Sequence, residues 1–318
     1  MIVADDQWDL PHLHTHLQAA AELEAWTIPY YLAAASSIVD RSCDAIQLIQ
    51  SVVHQEMLHL QLVANVANAY GFSPVLAPTV FDYRGSVIPH LDFALDPDNP
   101  TATFSPYSAA IGPLDQTRIN TMCLIEYPEW DTGGRAPYQQ DVQDYGSIGE
   151  FYDALDHGLD QLASHLVGGV NQVDLFAAFY RGAPTMTVRS SGREGLAQVK
   201  LLIDIIRDQG EAATDAGPVA GPFQNTADDS FPEDSHYEKF SRIRGGPLPA
   251  TYPVKDPSDH TAADTARVNI LVDDFARLTG ALTAMFAGHA PADFETLMVS
   301  IGADLLNCWR TGVTPRFT

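Results

Sequence analysis

The sequence predicts an all-α protein, a four-helix bundle with a long irregular crossover and an appended C-terminal helical hairpin. Two observations carry that prediction. Apolar residues recur every three or four positions over long stretches, as an amphipathic helix requires. The chain also lacks the alternating strand and helix units of a barrel, and Pro- and Gly-rich stretches separate its periodic segments.

The first helix is predicted from about Leu13 to Val39, with Asp9 as a cap and Pro11 as an early helical residue. Its stripe is Leu13, Leu17, Ala20, Ile28, Tyr31 and Ala35, and Glu24 falls on it, four residues from both Ala20 and Ile28. Glu22 lies nearer the polar side with Gln18 and Thr15. Pro29 removes one backbone hydrogen bond, so a kink is expected beside Glu24. His12, His14 and His16 would share a face only in a strand; in a helix they diverge, and solvated or capping roles are expected for them.

The second helix is predicted from about Asp44 to Tyr70, stopping at Gly71 with Pro74 beyond it. Glu56 lies on its stripe of Ile46, Ile49, Val53, Leu60, Val63 and Ala67, and Glu56 and His59 are one turn apart, so both can reach one metal ion. An inward ionised carboxylate needs a partner, and a metal is one. A buried hydrogen-bonded pair is the competing explanation.

Residues 72–146 lose sustained periodicity and read as a crossover of loops, turns and short strands, longer than a helix-length crossing requires. Within it, Ile125-Glu126-Tyr127-Pro128-Glu129-Trp130 brings acids and aromatics together. A third helix fits Ser147 to Val167, where Glu150 shares the polar side with Asp153, His157 and Gln161, a placement that a helix-dipole role also explains. A fourth fits Glu194 to Gly210, with Glu211 at its C-terminal end, where an acid is electrostatically unfavourable. Glu233 and His236 repeat the Glu-x-x-His spacing, but Ser235 and Glu238 offer a capping box. If Ser235 is the cap, Glu233 lies outside the helix and His236 is exposed on the first turn, with its metal partner supplied by another segment.

Two further helices follow the link at 245–259. Their stripes, Val268 to Met285 and Phe294 to Cys308, hold almost no inward metal-type residue. They are expected to cover the bundle or to form a homodimer contact. The chain thus divides into residues 1–245, the bundle with its crossover, and 246–318, the linker and hairpin.

Composition narrows the function. A core is available, since 46% of the 318 residues are apolar. Seventeen basic against 41 acidic residues give a formal charge of −24, which argues against a nucleic-acid or anionic-membrane partner and favours a small-molecule substrate. Cys43, Cys123 and Cys308 are odd in number and far apart, so neither a disulfide framework nor a zinc knuckle is expected. No secretion signal or long apolar run is evident, and a cytoplasmic location is expected.

An inward Glu on one helix and a Glu-x-x-His on the next approach the carboxylate-bridged two-metal plan of four-helix bundles. The ordered segments Glu22–Leu32, Glu56–Leu60 with Asn65, Ile125–Glu129, Ile148–Leu155, Gln209–Glu211 and Ser235–Phe240 resemble the ferritin-like domain family associated with iminophenyl-pyruvate dimer synthases. The resemblance extends over about 220 residues in the same order. It implies a ferritin-like bundle with a non-haem di-metal site ligated by Glu24, Glu56, His59, Glu150, Glu211 and His236, with Glu126 and Glu233 as rivals for the places of Glu150 and Glu211. Ala212 stands where that family often has Gly. The enzyme regions that accompany the domain in full-length dimer synthases do not occur here, so dimerisation of amino-acid-derived imines is not carried over.

The expected function is a di-metal oxidoreductase, di-iron or with manganese in its place, that uses O2 or peroxide on a small organic substrate, in a setting such as specialised metabolism. Manganese catalase-like peroxide disproportionation and non-catalytic metal storage are the alternatives.

Overall fold

Asp9 accepts a hydrogen bond from the His12 backbone N–H at 2.8 Å and Pro11 occupies the first turn, so the first helix, α1 (Leu10–Ser36), starts before its apolar stripe does. It is assigned as one helix through Pro29. A short link leads into α2 (Asp44–Ala69), which packs along α1 and is buried on nearly every side beyond its first turn. The computed structural model describes residues 8–96, 99–127, 145–180, 183, 185–210 and 233–318. Among these the regular structure is helical, with three isolated β-bridges and no strand.

The bundle closes as a ring. Helix α4 (Ile148–Gln161) packs on α1, α5 (Gly192–Gly210) packs on α2, and α4 and α5 pack on each other. The third bundle helix ends at Gln161 rather than at Val167, because residues Ala163–His165 turn as a 3-10 helix. Trp8 lies so close over Gly158 of α4 that a Cβ there would meet its ring at 2.5 Å.

Among the described residues of 72–146, short 3-10 turns and isolated bridges stand where short strands are expected, and one stretch is helical. This is α3 (Gln116–Ile125), capped by Asp115 accepting from the Arg118 N–H. Ile119 through Ile125 are all buried, so the segment has no polar face and no stripe by which periodicity reveals a helix. Helix α3 packs on α6 (His236–Gly245), which also touches α2 and α5. These two short helices cover one flank of the ring.

The C-terminal pair, α7 (Ala262–Phe286) and α8 (Phe294–Arg310), forms a hairpin whose second helix docks on α1. Trp309 is fully buried there and its indole N–H donates to the Ala33 carbonyl at 2.8 Å. Among the described residues no helix is long and apolar enough to cross a membrane.

The histidine run does not behave as solvated side chains. His16 is fully buried, held between the His12 carbonyl at 2.9 Å and the Tyr145 hydroxyl at 2.7 Å, and His14 lies 3.1 Å from the Tyr70 carbonyl. The first bundle helix is covered on more of its circumference than a single stripe predicts.

Candidate metal centre

Successive turns of α1 present Glu24, Thr27 and Tyr31 on one face, and α2 answers with Gln55, Glu56 and His59. All six are buried. Two further groups arrive from outside the ring: Glu126, immediately after α3, and His236, the first residue of α6. Ligand atoms of Glu24, Glu56 and His59 lie within 4.8 Å of one another, and so do those of Glu56, Glu126 and His236. Glu56 belongs to both sets.

One pattern organises the three carboxylates. Each has one oxygen anchored by a hydroxyl and the other turned toward imidazole. Tyr152 donates to Glu24 Oε1, Thr27 to Glu56 Oε2 at 2.6 Å, and Tyr31 to Glu126 Oε1 at 2.5 Å. The remaining oxygens face the histidines. His59 Nδ1 is 3.5 Å from Glu24 Oε2 and 3.9 Å from Glu56 Oε1. His236 Nδ1 is 2.9 Å from Glu56 Oε1 and 3.4 Å from Glu126 Oε2. It makes no aligned hydrogen bond to either.

The far nitrogens are also held. His59 Nε2 lies 3.0 Å from Gln209 Oε1, and His236 Nε2 lies 3.1 Å from Gln55 Oε1. Gln209 is near the end of α5, so the second helix pair of the bundle supplies supports, Tyr152 and Gln209, to the acid and imidazole borne by α1 and α2.

Electrostatics set the chemistry. Burial pushes the Glu24 carboxyl up to about 7, against the pull of the Tyr152 hydroxyl. Burial, then the neighbouring Glu24 charge, raises Glu56; burial, then Glu56, raises Glu126. His59 is driven down to about 4 by burial. Burial opposes the proton on His236 too, but Glu126 and Glu56 outweigh it and lift that imidazole to about 9. Among the described residues the one fully buried lysine or arginine, Lys239, is paired with Glu233 rather than with these acids.

The residues fit a pair of divalent cations. Three buried carboxylates and two inward imidazole nitrogens form the mixed oxygen and nitrogen donor set that iron and manganese take. His236 Nδ1 has no aligned partner, and the backbone leaves room beside it. A Cβ on Gly210 would stand 3.8 Å from His236 Nδ1, 3.8 Å from His59 Cε1 and 3.9 Å from Glu126 Oε2.

Four of the six residues expected as ligands, Glu24, Glu56, His59 and His236, come together here. Glu150 does not join them. It sits at the third position of α4, where Ser147 Oγ accepts from its N–H and its own Oε2 accepts from the Gly146 N–H at 3.0 Å, so it serves the helix end. Glu211 lies outside the described residues. The rival Glu126 enters the cluster, whereas Glu233 turns away to Lys239. His236 is buried rather than exposed, although Ser235 does form the capping box, because α6 starts against α2. Its partners do come from other segments. The acid-aromatic grouping around Glu126 is the signal that points there; Thr27, Tyr31, Tyr152 and Gln209 lie within segments that carry the family resemblance, but no spacing marks them, or Gln55, as supports.

Between α1, α2 and the C-terminal hairpin lies an apolar cavity of about 140 Å³, lined by Ala25, Ile28, Met57 and Leu60 and by Phe176, Phe275, Leu278, Leu282 and Met298; none of the five clustered acids and histidines lines it. Larger clefts, of about 610, 860 and 710 Å³, likewise touch none of the five clustered acids and histidines.

A family model described as ferritin-like matches residues 17–245. The chain is similar to a ferritin-like protein from Caulobacter vibrioides known from a crystal structure, with 45% sequence identity, a TM-score of 0.83, and coverage of 98% of this chain and 99% of that one. No curated protein matches.

Proposed function

Because this chain belongs to the ferritin-like family, we propose that it is a non-haem di-metal oxidoreductase, holding two iron ions and using O2 or peroxide to oxidise a small organic substrate. The observation that carries this reading is the place of Glu56 in two Glu/His sets at once, since a shared carboxylate is how two cations are held close together. Glu24 and His59 would hold one metal, Glu126 and His236 the other, with Glu56 between them. Such a pair, when bound, would supply the redox chemistry.

The chain's own residues do the rest. Thr27, Tyr31 and Tyr152 fix the carboxylates, so that little reorganisation accompanies metal uptake. Burial of Glu24, Glu56, His59, Glu126 and His236 keeps bulk water from the cluster. The resemblance to domains associated with iminophenyl-pyruvate dimer synthases supports a substrate from specialised metabolism. The −24 charge supports a small molecule over a polyanion.

The test is reconstitution with Fe(II) or Mn(II) under anaerobic and aerobic conditions, followed by metal counting and by O2 uptake with candidate aromatic substrates. Close to two metals per chain, lost in Glu56→Ala, is the expected result. Absence of near-stoichiometric metal overturns the reading. Metal uptake accompanied only by rapid oxygen release from peroxide in the manganese form replaces it with a catalase-like function.

A further inference from the structure

Behind His236 lies a buried ionic device outside the candidate ligand set. Lys239 and Glu233 are fully buried and paired at 2.5 Å. Gln55, adjacent to Glu56 on α2, fits between them: its Nε2 donates to Glu233 Oε1 at 2.8 Å, and its Oε1 accepts from Lys239 Nζ at 3.0 Å. That same Oε1 lies 3.1 Å from His236 Nε2.

These contacts fix which way the amide points. An ammonium can only donate and an ionised carboxylate can only accept, so the end of Gln55 that meets Lys239 is its oxygen and the end that meets Glu233 is its nitrogen. An amide rotated by half a turn would set its NH2 against Lys239 and its oxygen against Glu233, placing like groups together on both sides. The oxygen facing His236 is therefore an acceptor, and the imidazole must present N–H at Nε2. In the neutral ring the lone pair then lies at Nδ1, the atom 2.9 Å from Glu56 Oε1 and 3.4 Å from Glu126 Oε2.

We propose that the Lys239–Gln55–Glu233 clamp is the positioning device that makes Nδ1 the ligating nitrogen of His236, and that the metal set of Glu56, Glu126 and His236 depends on it. This rests on the di-metal reading above. A buried ion pair is a weak source of stability, because desolvating two charges offsets most of their attraction. Its specific use here is orientation: it removes the twofold ambiguity of an amide and, through it, of an imidazole. The partner histidine is supported differently. His59 Nε2 meets Gln209 on α5, so weakening the clamp acts on one metal set and spares the other.

The experiment uses the full chain loaded with Zn(II), a diamagnetic probe, and ¹⁵N-labelled at histidine. Two-bond ¹H–¹⁵N correlation spectra are expected to show His236 with a protonated Nε2 and a zinc-ligating Nδ1. A zinc-ligating Nε2 overturns the proposal without any substitution. In parallel, Gln55→Leu and Lys239→Met, each checked for an intact helical fold, are titrated with Zn(II) and Co(II). The expected outcome is one site retained at wild-type affinity and one weakened about 10- to 100-fold, as for other groups that orient metal-binding histidines. Gln55→Glu, which keeps an oxygen toward His236 and Lys239 but sets its other oxygen against Glu233 where Gln55 donates, is expected to recover only part of that loss. Two full-affinity sites in Gln55→Leu overturn the positioning role alone, whereas a wild-type chain that binds no metal overturns the di-metal reading beneath it.

Discussion

Tyr31 and Glu126 meet through a 2.5 Å hydrogen bond that joins α1 to the end of α3 across 95 residues of sequence. The contact leaves Glu126 Oε2 facing His236, so the hydroxyl selects which oxygen of the carboxylate is available. Tyr31→Phe keeps the ring and its edge contact with Phe240 but removes that choice. Expected is a drop of about tenfold or more in affinity for the second metal, with the first unchanged, read by competitive titration against a chromophoric chelator.

Glu56→Ala and Glu150→Ala should separate cleanly. The first removes the carboxylate shared by both sets and abolishes stoichiometric metal uptake. The second removes an acceptor for the Gly146 N–H and costs about 1 kcal/mol of stability, with metal content untouched. Elemental analysis and urea denaturation of the two variants side by side decide this, and loss of metal in Glu150→Ala would contradict the structural role given to it.

Gly210→Ala sets two effects against each other. In a helix interior Ala is a better former than Gly by about 1 kcal/mol, and at the last residue of α5 only part of that gain is expected. Its methyl, however, would stand 3.8 Å from His236 Nδ1, in the space beside the proposed ligating atom. The metal-free variant should melt higher than wild type, and its metal-dependent gain in melting temperature should shrink.

The buried His16 gives a pH dependence that is independent of the metals. Burial lowers its imidazole to about 4, so the folded chain keeps it neutral while the unfolded chain protonates near 6.5. Below 6.5 the unfolded state binds the extra proton, and stability falls as pH drops from 6.5 toward 4; above 6.5 the group contributes no slope. Between pH 7.5 and 5 the expected loss from this group is about 2 kcal/mol. His16→Gln should flatten that part of the profile in urea midpoints measured across the range.

Trp309 tests the docking of the C-terminal hairpin. Its ring is fully buried and its indole N–H reaches the Ala33 carbonyl. Trp309→Ala should cost about 3–5 kcal/mol, and Trp309→Phe, which loses the hydrogen bond but keeps most of the ring, substantially less.

The long helices were legible because their apolar periods persist over many turns, and that same periodicity pointed Glu24 and Glu56 inward. Glu150 illustrates the limit. Its position in the family pattern suggested a ligand, whereas helical spacing placed it on a polar side, and its carboxylate serves the end of α4. Glu126 was visible only as one acid in an aromatic stretch, because α3 is short and buried all round and shows no amphipathic signature. The capping box at Ser235 points to an exposed first turn for His236, yet that side chain is buried, because a capping box reports on the backbone of a helix start and not on what covers it. Hydroxyl and amide supports such as Tyr152 and Gln55 act across tertiary contacts with no fixed sequence spacing.

The two Glu/His sets differ in how far along the chain they reach. Glu24, Glu56 and His59 belong to a hairpin finished by residue 69, whereas Glu126 and His236 lie at the end of α3 and the start of α6. Even the first set draws its supports from later segments, Tyr152 on α4 and Gln209 on α5. Neither set is therefore fully held until the ring has closed, and the site and the fold are completed by the same long-range contacts.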